Sequence, residues 1–256
     1  DRPGRVIWAA TGGVVDAAHV VLVHGTLDRS AGLLKLARRL ADVYRVTRYD
    51  RRGYGRSRPC DGPFGIDQQL DDLIGVIRDA TGDGSPRVVV GHSYGGDVAL
   101  ALADRHPALV DAVVAYEPPL SWLDWWPRDS AGGSAVGGEL APEDAAERFM
   151  RRLIGDARWE RLPPATRAAR RAEGPAMMGE MLDLRRGAPW SPQRIGVPVL
   201  ILHGEHGAAH HQRAAVELGS MFADVRVVSI AEARHFGPNT HPDAVADQVI
   251  AHIARL

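Results

Sequence analysis

The sequence predicts an α/β protein: a mostly parallel twisted sheet covered by helices on both faces, with a helical insertion late in the chain. Three observations carry that prediction. Short β-rich runs alternate with longer helical patterns along the 256 residues, as in sheets whose parallel strands need crossover helices. The strongest run, Val88-Val89-Val90, feeds Gly91-His92-Ser93-Tyr94-Gly95, and an alanine-rich helical pattern leaves it. After Pro118-Pro119 the composition changes, and helical patterns follow one another to about residue 194.

Strands are expected at residues 6–10, 20–24, 44–49, 87–91, 112–116, 198–203 and 225–230. Helices are expected at 31–40, 66–80, 95–106, 212–221 and 243–256. In 66–80 the apolar positions 66, 70, 73, 74 and 77 recur at helical spacing and give one buried face. Gly-Asp-Gly-Ser-Pro at 82–86 stops that helix before the next strand. In the insertion, Gly-, Ser- and Ala-rich residues 130–138 read as a mobile loop. Pro142-Glu143-Asp144 opens a helix with proline in the first turn and acids at the positive end of the dipole. Further helical patterns cover 163–173 and 175–184. The division expected is a core of residues 1–119 and 195–256, with the insertion at 120–194.

Net charge is −1 and the paired arginines are scattered, so no basic stripe points to nucleic acid. No apolar run approaches the ~18 residues that would span a bilayer, and the N-terminal residues lack a signal-peptide apolar core. The single Cys60 excludes an internal disulfide framework. Cytoplasmic placement is the resulting expectation; because the chain does not begin with methionine, a processed start stays open.

The chemistry centres on Ser93. Strand, G-x-S-x-G and helix in that order hold a serine on a strained turn, its Oγ lifted clear of the sheet. Glycine is needed at 91 and 95 because strand and helix pass too close for a Cβ. The N–H of Tyr94, at the helix start, faces the place where negative charge would develop. Upstream, a buried strand ends in His24-Gly25-Thr26. A glycine-punctuated turn follows at Asp50-Arg51-Arg52-Gly53-Tyr54-Gly55-Arg56-Ser57, and His235 lies on a loop between the last strand and the final helix.

With these four segments in place, the chain resembles the α/β-hydrolase family, over nearly its whole length except about residues 120–194. The set is specific for the superfamily and weak for any one substrate. The resemblance implies Ser93 as nucleophile, His235 as its base, and main-chain N–H groups of Tyr94 and Thr26 as an oxyanion hole; the Thr26 hydroxyl is either a third donor or spent on its own loop. It also implies that the insertion, placed after the family's sixth strand, caps the site. His241 is set aside as base because His241-Pro242-Asp243 reads as the start of the final helix. Asp50 and Arg52 are expected to organise the loop behind the site through charge-assisted bonds.

The acid departs from the family pattern. An aspartate is usual in a Gly-x-x-Asp segment, but here the segment is Gly204-Glu205-His206-Gly207. Glu205 and Glu117 are the replacements. Glu117 is favoured because it ends a strand at the carboxyl edge of the sheet, beside the elbow, with Pro118 and Pro119 stiffening its backbone.

The histidines between His203 and His211 look like a metal cluster, but glycines at 204 and 207 argue for a solvated loop, and no metal is assigned. Five of six tryptophans fall in the insertion. Trp122, Trp126 and Met178 are the candidate substrate contacts, implying a small-molecule substrate with an apolar or aromatic portion. The function expected is cofactor-free hydrolysis of a carboxylic ester, lactone or thioester. C–C bond hydrolysis or perhydrolysis on the same site, and a catalytically degenerate ligand-binding relative, are the alternatives.

Overall fold

The structure, a computed structural model, describes residues 7–80 and 87–256. The expectations placed on Val6 and on residues 82–86 lie outside the described residues. Seven strands form one sheet: β1 Ala9–Gly13, β2 His19–Val23, β3 Arg45–Tyr49, β4 Arg87–His92, β5 Ala112–Tyr116, β6 Val199–Gly204 and β7 Val225–Ile230. Their order is β1-β3-β2-β4-β5-β6-β7, with only β1 antiparallel to its neighbour. β1 begins at Ala9, three residues later than the sequence pattern places it, and pairs Ala9–Gly13 with Tyr49–Arg45. As an edge strand it is mostly exposed, which is why its apolar signal was weak.

Successive residues of the central strands face opposite layers. Val21, Val89, Val113 and Ile201 pack beneath α2 Ile66–Ala80 and α3 Tyr94–Arg105. Val20, Val88, Val114 and Leu200 pack against α1 Leu34–Leu40 and α11 Pro242–Ile253. Both faces are covered, so β2, β4 and β5 are apolar along most of their length. α2 has the bounds its apolar stripe predicts, and buries Ile66, Leu70, Leu73 and Ile77. Each such side chain contributes about 1.5–3 kcal/mol by leaving water.

The helical insertion follows β5, the fifth of the seven strands among the described residues. It comprises α4 Ala131–Val136, α5 Pro142–Ile154, α6 Asp156–Glu160, α7 Pro164–Arg171 and α8 Gly174–Leu184. The stretch at 130–138 is therefore not a mobile loop. Ser130 caps α4, its Oγ accepting from the Gly133 N–H at 3.2 Å, and Ala135 is fully buried. The insertion has no core separate from the sheet: Phe149, Trp159, Met177 and Met181 belong to the same buried cluster as Val89 and Leu70. After β6 comes α9 Ala209–Leu218, and after β7 the short α10 Gly237–Thr240.

Candidate active site

At the carboxyl edge of β4 the chain reverses into α3 through Ser93, whose φ of 53° and ψ of −127° lie outside the conformations ordinary residues prefer. The flanking glycines are required by contact. A Cβ on Gly91 would stand 2.1 Å from the Gly95 carbonyl oxygen, and one on Gly95 would stand 2.2 Å from that of Val23. The Ser93 N–H is held by the Tyr116 carbonyl at 2.8 Å. Gly25 brings the β2 loop against the serine: a Cβ there would lie 3.0 Å from Ser93 Cβ.

Glu117, the residue after β5, is buried and sits at φ 47°. Its backbone N–H bonds the Leu202 carbonyl at 2.8 Å, which fixes the strained residue to β6. Oε2 accepts from His235 Nδ1 at 2.6 Å and Oε1 from the Gly204 N–H at 2.9 Å. Burial alone would raise this carboxyl, but the hydrogen bond and charge of His235, with the Gly204 N–H, outweigh it and hold the group down to about 2. A carboxylate only accepts, so the proton of the neutral His235 ring lies on Nδ1 and leaves the Nε2 lone pair unprotonated. Glu205 is elsewhere: it is exposed and accepts from the Glu232 N–H at 2.9 Å.

Gly207 explains the departure from the family pattern. A Cβ at this position would stand 2.6 Å from Glu117 Oε1. The glycine at the usual aspartate position is thus the space that a carboxylate arriving from β5 occupies. The His235 loop is also pinned, with Tyr116 Oη donating to the Arg234 carbonyl at 2.8 Å. Tyr116 needs Gly237, where a Cβ would lie 2.1 Å from that oxygen.

His235 contacts two further histidine rings that sequence reasoning did not assign to the site. His92 lies with its ring centroid 4.8 Å away and donates from Nε2 to the His235 carbonyl at 2.8 Å. Burial, then the neighbouring His235, push His92 down to about 3. His211 stacks on His235 at 4.8 Å and 22°, and burial with the same neighbour pushes it well below 6.5. His211 was expected in a solvated loop. It is buried instead because α9 begins at Ala209, directly after the glycines, and turns the side chain inward. The signal available was the pair His210-His211 closely following Gly207.

Glu117, His211 and His235 each place one potential metal-ligating atom within 4.8 Å of the others. In that trio the Glu117–His235 bond already uses the carboxylate, and the imidazoles are stacked face to face. His206 belongs to a second, exposed trio with Glu205 and Glu232. His206 precedes α9 and His210 lies within it, so the two do not share a helix face.

A cavity of about 490 Å³ opens over these groups, lined by Ser93, His235, Thr26 and Tyr94 from the core and by Trp126, Phe149, Leu153 and Met181 from the insertion. Of the three candidate substrate contacts, only Trp126 lines it. Trp122 packs edge-on against Trp190 at 5.5 Å. Met178 is partly buried against the core, and Met181, nearly one helical turn on, takes the position expected of it. The Thr26 hydroxyl is not a free donor, since it bonds Glu180 Oε2 at 2.8 Å.

Behind the β2 loop lies a sealed charged cluster. Glu180 of α8 accepts from Arg51, Thr26 Oγ1, Tyr54 Oη and Gln69 Nε2. Arg51 in turn donates to the His24 carbonyl at 2.8 Å and that of Gly25 at 3.1 Å. Asp50 and Arg52 act as expected: Asp50 accepts the Ser30 and Arg56 N–H groups, and Arg52 forks onto Asp72 at 2.6 and 2.7 Å. The Arg51–Glu180 pair was not foreseen, because its members are 129 residues apart.

The sheet, the serine turn and the glutamate–histidine pair at the strand ends define an α/β protein with a hydrolase-type elbow. A family model described as "Alpha/beta hydrolase family" matches residues 20–248, and the chain belongs to that family. It is 34% identical over 119 residues to the AB hydrolase superfamily protein YfhM of Bacillus subtilis, covering 45% of this chain and 41% of that protein. The chain thus matches about two fifths of that relative's length. It is 26% identical to the pimeloyl-[acyl-carrier protein] methyl ester esterase of Nitrosospira multiformis over 93% of both chains. A thermophilic esterase from Thermogutta terrifontis shares the fold, with a TM-score of 0.76, 22% identity, and coverage of 97% of this chain and 93% of that one. Among the described residues no helix is long and apolar enough to cross a membrane.

Proposed function

We propose that this protein is a serine hydrolase that cleaves carboxylic esters, lactones or thioesters through an acyl-enzyme on Ser93. The observation that carries the reading is the bond from His235 Nδ1 to buried Glu117, on the wall of the cavity that Ser93 also lines. Ser93 Oγ attacks the substrate carbonyl carbon while His235 Nε2 takes the hydroxyl proton. The tetrahedral oxyanion is held by the main-chain N–H groups of Tyr94 and Thr26. Collapse expels the alcohol, or thiol, which leaves with the proton from His235. Water then attacks the acyl group, giving its proton to His235, and the second collapse returns that proton to Ser93 Oγ with release of the acid. Glu117 stays ionised throughout and stabilises the imidazolium.

This acyl transfer requires no cofactor. Trp126, Phe149, Leu153 and Met181 suit a small-molecule substrate with an apolar portion. The single free thiol, Cys60, agrees with a cytoplasmic setting. The test is turnover of p-nitrophenyl butyrate by the parent and by Ser93→Ala: the parent releases nitrophenolate and the variant does not. Equal release by both, or none by the parent, contradicts the reading.

A further inference from the structure

Among the described residues the cavity wall contains a partly buried charge, Arg185, without a counter-charge. Arg185, the residue that ends α8, lines the same cavity as Ser93 and His235. Its side chain is half-buried, and among the described residues no carboxylate lies within 4.0 Å of it. Its hydrogen bond to protein runs from Nη1 to the Met181 carbonyl at 2.9 Å. The other arginines that leave water near the site are matched: Arg29 meets Glu173 at 2.7 Å, Arg52 meets Asp72 at 2.6 Å, and Arg51 meets Glu180. Within the lining itself, Arg152 is bound to Asp129 at 2.7 Å, and Arg234 at the rim gives a hydrogen bond to the His206 carbonyl. The wall therefore carries three guanidiniums against one carboxylate, Asp129.

A guanidinium offers five N–H donors in a planar fork, and only one is used by a neighbouring carbonyl here. Withdrawing such a cation from water is costly unless something anionic meets it. Burial also lowers the basicity of Arg185, a cost that a bound anion would relieve. Gly132 faces it closely: a Cβ there would lie 3.2 Å from Nη2, so the fork is confined rather than free to swing into solvent.

We infer that Arg185 is a specificity residue that binds a carboxylate carried by the substrate, so that the preferred substrates are esters or lactones bearing one free acid group. This rests on the reading of Ser93, which lines the same cavity, as the nucleophile that attacks the scissile carbonyl. The fork binds the acid through two parallel N–H···O bonds. The apolar residues then cover the chain between acid and ester.

Two measurements keep the subsite and the chemistry separate. The first is calorimetric binding of monoethyl adipate and of diethyl adipate to Ser93→Ala protein. The half-ester is expected to bind about tenfold tighter or better, a preference lost on adding Arg185→Gln and partly kept by Arg185→Lys. The second is the ratio of kcat/KM for the two esters in otherwise unaltered enzyme, which should fall about tenfold or more in Arg185→Gln. Equal binding of both esters, or a preference that survives Arg185→Gln, overturns the subsite. A binding preference with neither ester turned over by the parent sustains the subsite and contradicts the acyl-enzyme reading.

Discussion

Two buried carboxylates, Glu117 and Glu180, each bond a residue that lines the cavity, His235 and Thr26 respectively, and are used in different ways. Glu180 is fully buried and receives four donors, one of them from a guanidinium that never gives up its proton under ordinary conditions. Its hydrogen bonds to Thr26 and Arg51 make it a bolt between α8 and the β2 loop. Glu117 receives two donors, and the chief one is the imidazole that the proposed mechanism uses as base and acid. The pairing partner, more than the burial, decides whether a buried carboxylate is structural or takes part in chemistry.

Substitutions at the two sites should therefore separate activity from stability. The largest effect is expected from Ser93→Ala, which should lower kcat by about 10⁴-fold or more with an unchanged melting temperature. Glu117→Gln should lower kcat by on the order of 10⁴-fold, because the amide favours the wrong tautomer of His235. Glu205→Gln, assayed beside it, should leave kcat within about twofold, as a surface substitution away from the site does.

Glu180→Ala should show the opposite profile. Urea unfolding is expected to lose about 3–5 kcal/mol, since Arg51 is left buried and unpaired, while kcat in the folded fraction falls far less than in Glu117→Gln. A comparable loss of kcat in the two variants would erase the distinction between bolt and working acid. Gly207→Ala sharpens it further. The new Cβ would press on Glu117 Oε1, and the displaced carboxylate should cost about 10²-fold in kcat, read in steady-state assays with the fold intact.

The smallest effect concerns pH. His92 is lowered from 6.5 to about 3, and His211 lies well below 6.5. Below pH 6.5 the unfolded chain binds protons that these folded imidazoles refuse, so stability is full above that pH and is lost as pH falls. His92 should remove about 2 kcal/mol between pH 7 and 5; His211 acts in the same direction, and denaturant unfolding of His211→Gln should show a shallower decline. Glu117 acts in a lower window. Its carboxyl is held from 4.5 down to about 2, so its contribution is complete above 4.5 and disappears as pH falls through 2.

What the sequence disclosed and what it withheld divide along a physical line. The elbow was legible because Gly91 and Gly95 answer to a local backbone collision, and α2 because its burial repeats at 3.6 residues. Glu117 was legible as a strand-end acid once the glycine at 207 was noticed. The α4 segment was missed because its Gly and Ala residues carry no amphipathic pattern, and its helix depends on Ser130 as cap and on neighbours from other helices. Met178 and Met181 are three apart, so choosing which one reaches the cavity needs the helix's rotation, which tertiary packing sets. The Arg51–Glu180 bolt and the unmatched Arg185 are facts about distance in space, and a charged residue reads the same in sequence whether paired or alone.

The measurement that bears most directly on the central claim is mass mapping of the protein after reaction with a fluorophosphonate, for the parent, Ser93→Ala and Glu117→Gln. A single adduct on the peptide containing Ser93, absent from Ser93→Ala and forming far more slowly in Glu117→Gln, is the predicted result. No adduct in the parent, an adduct on another residue, or an equal labelling rate without Glu117 would contradict the account.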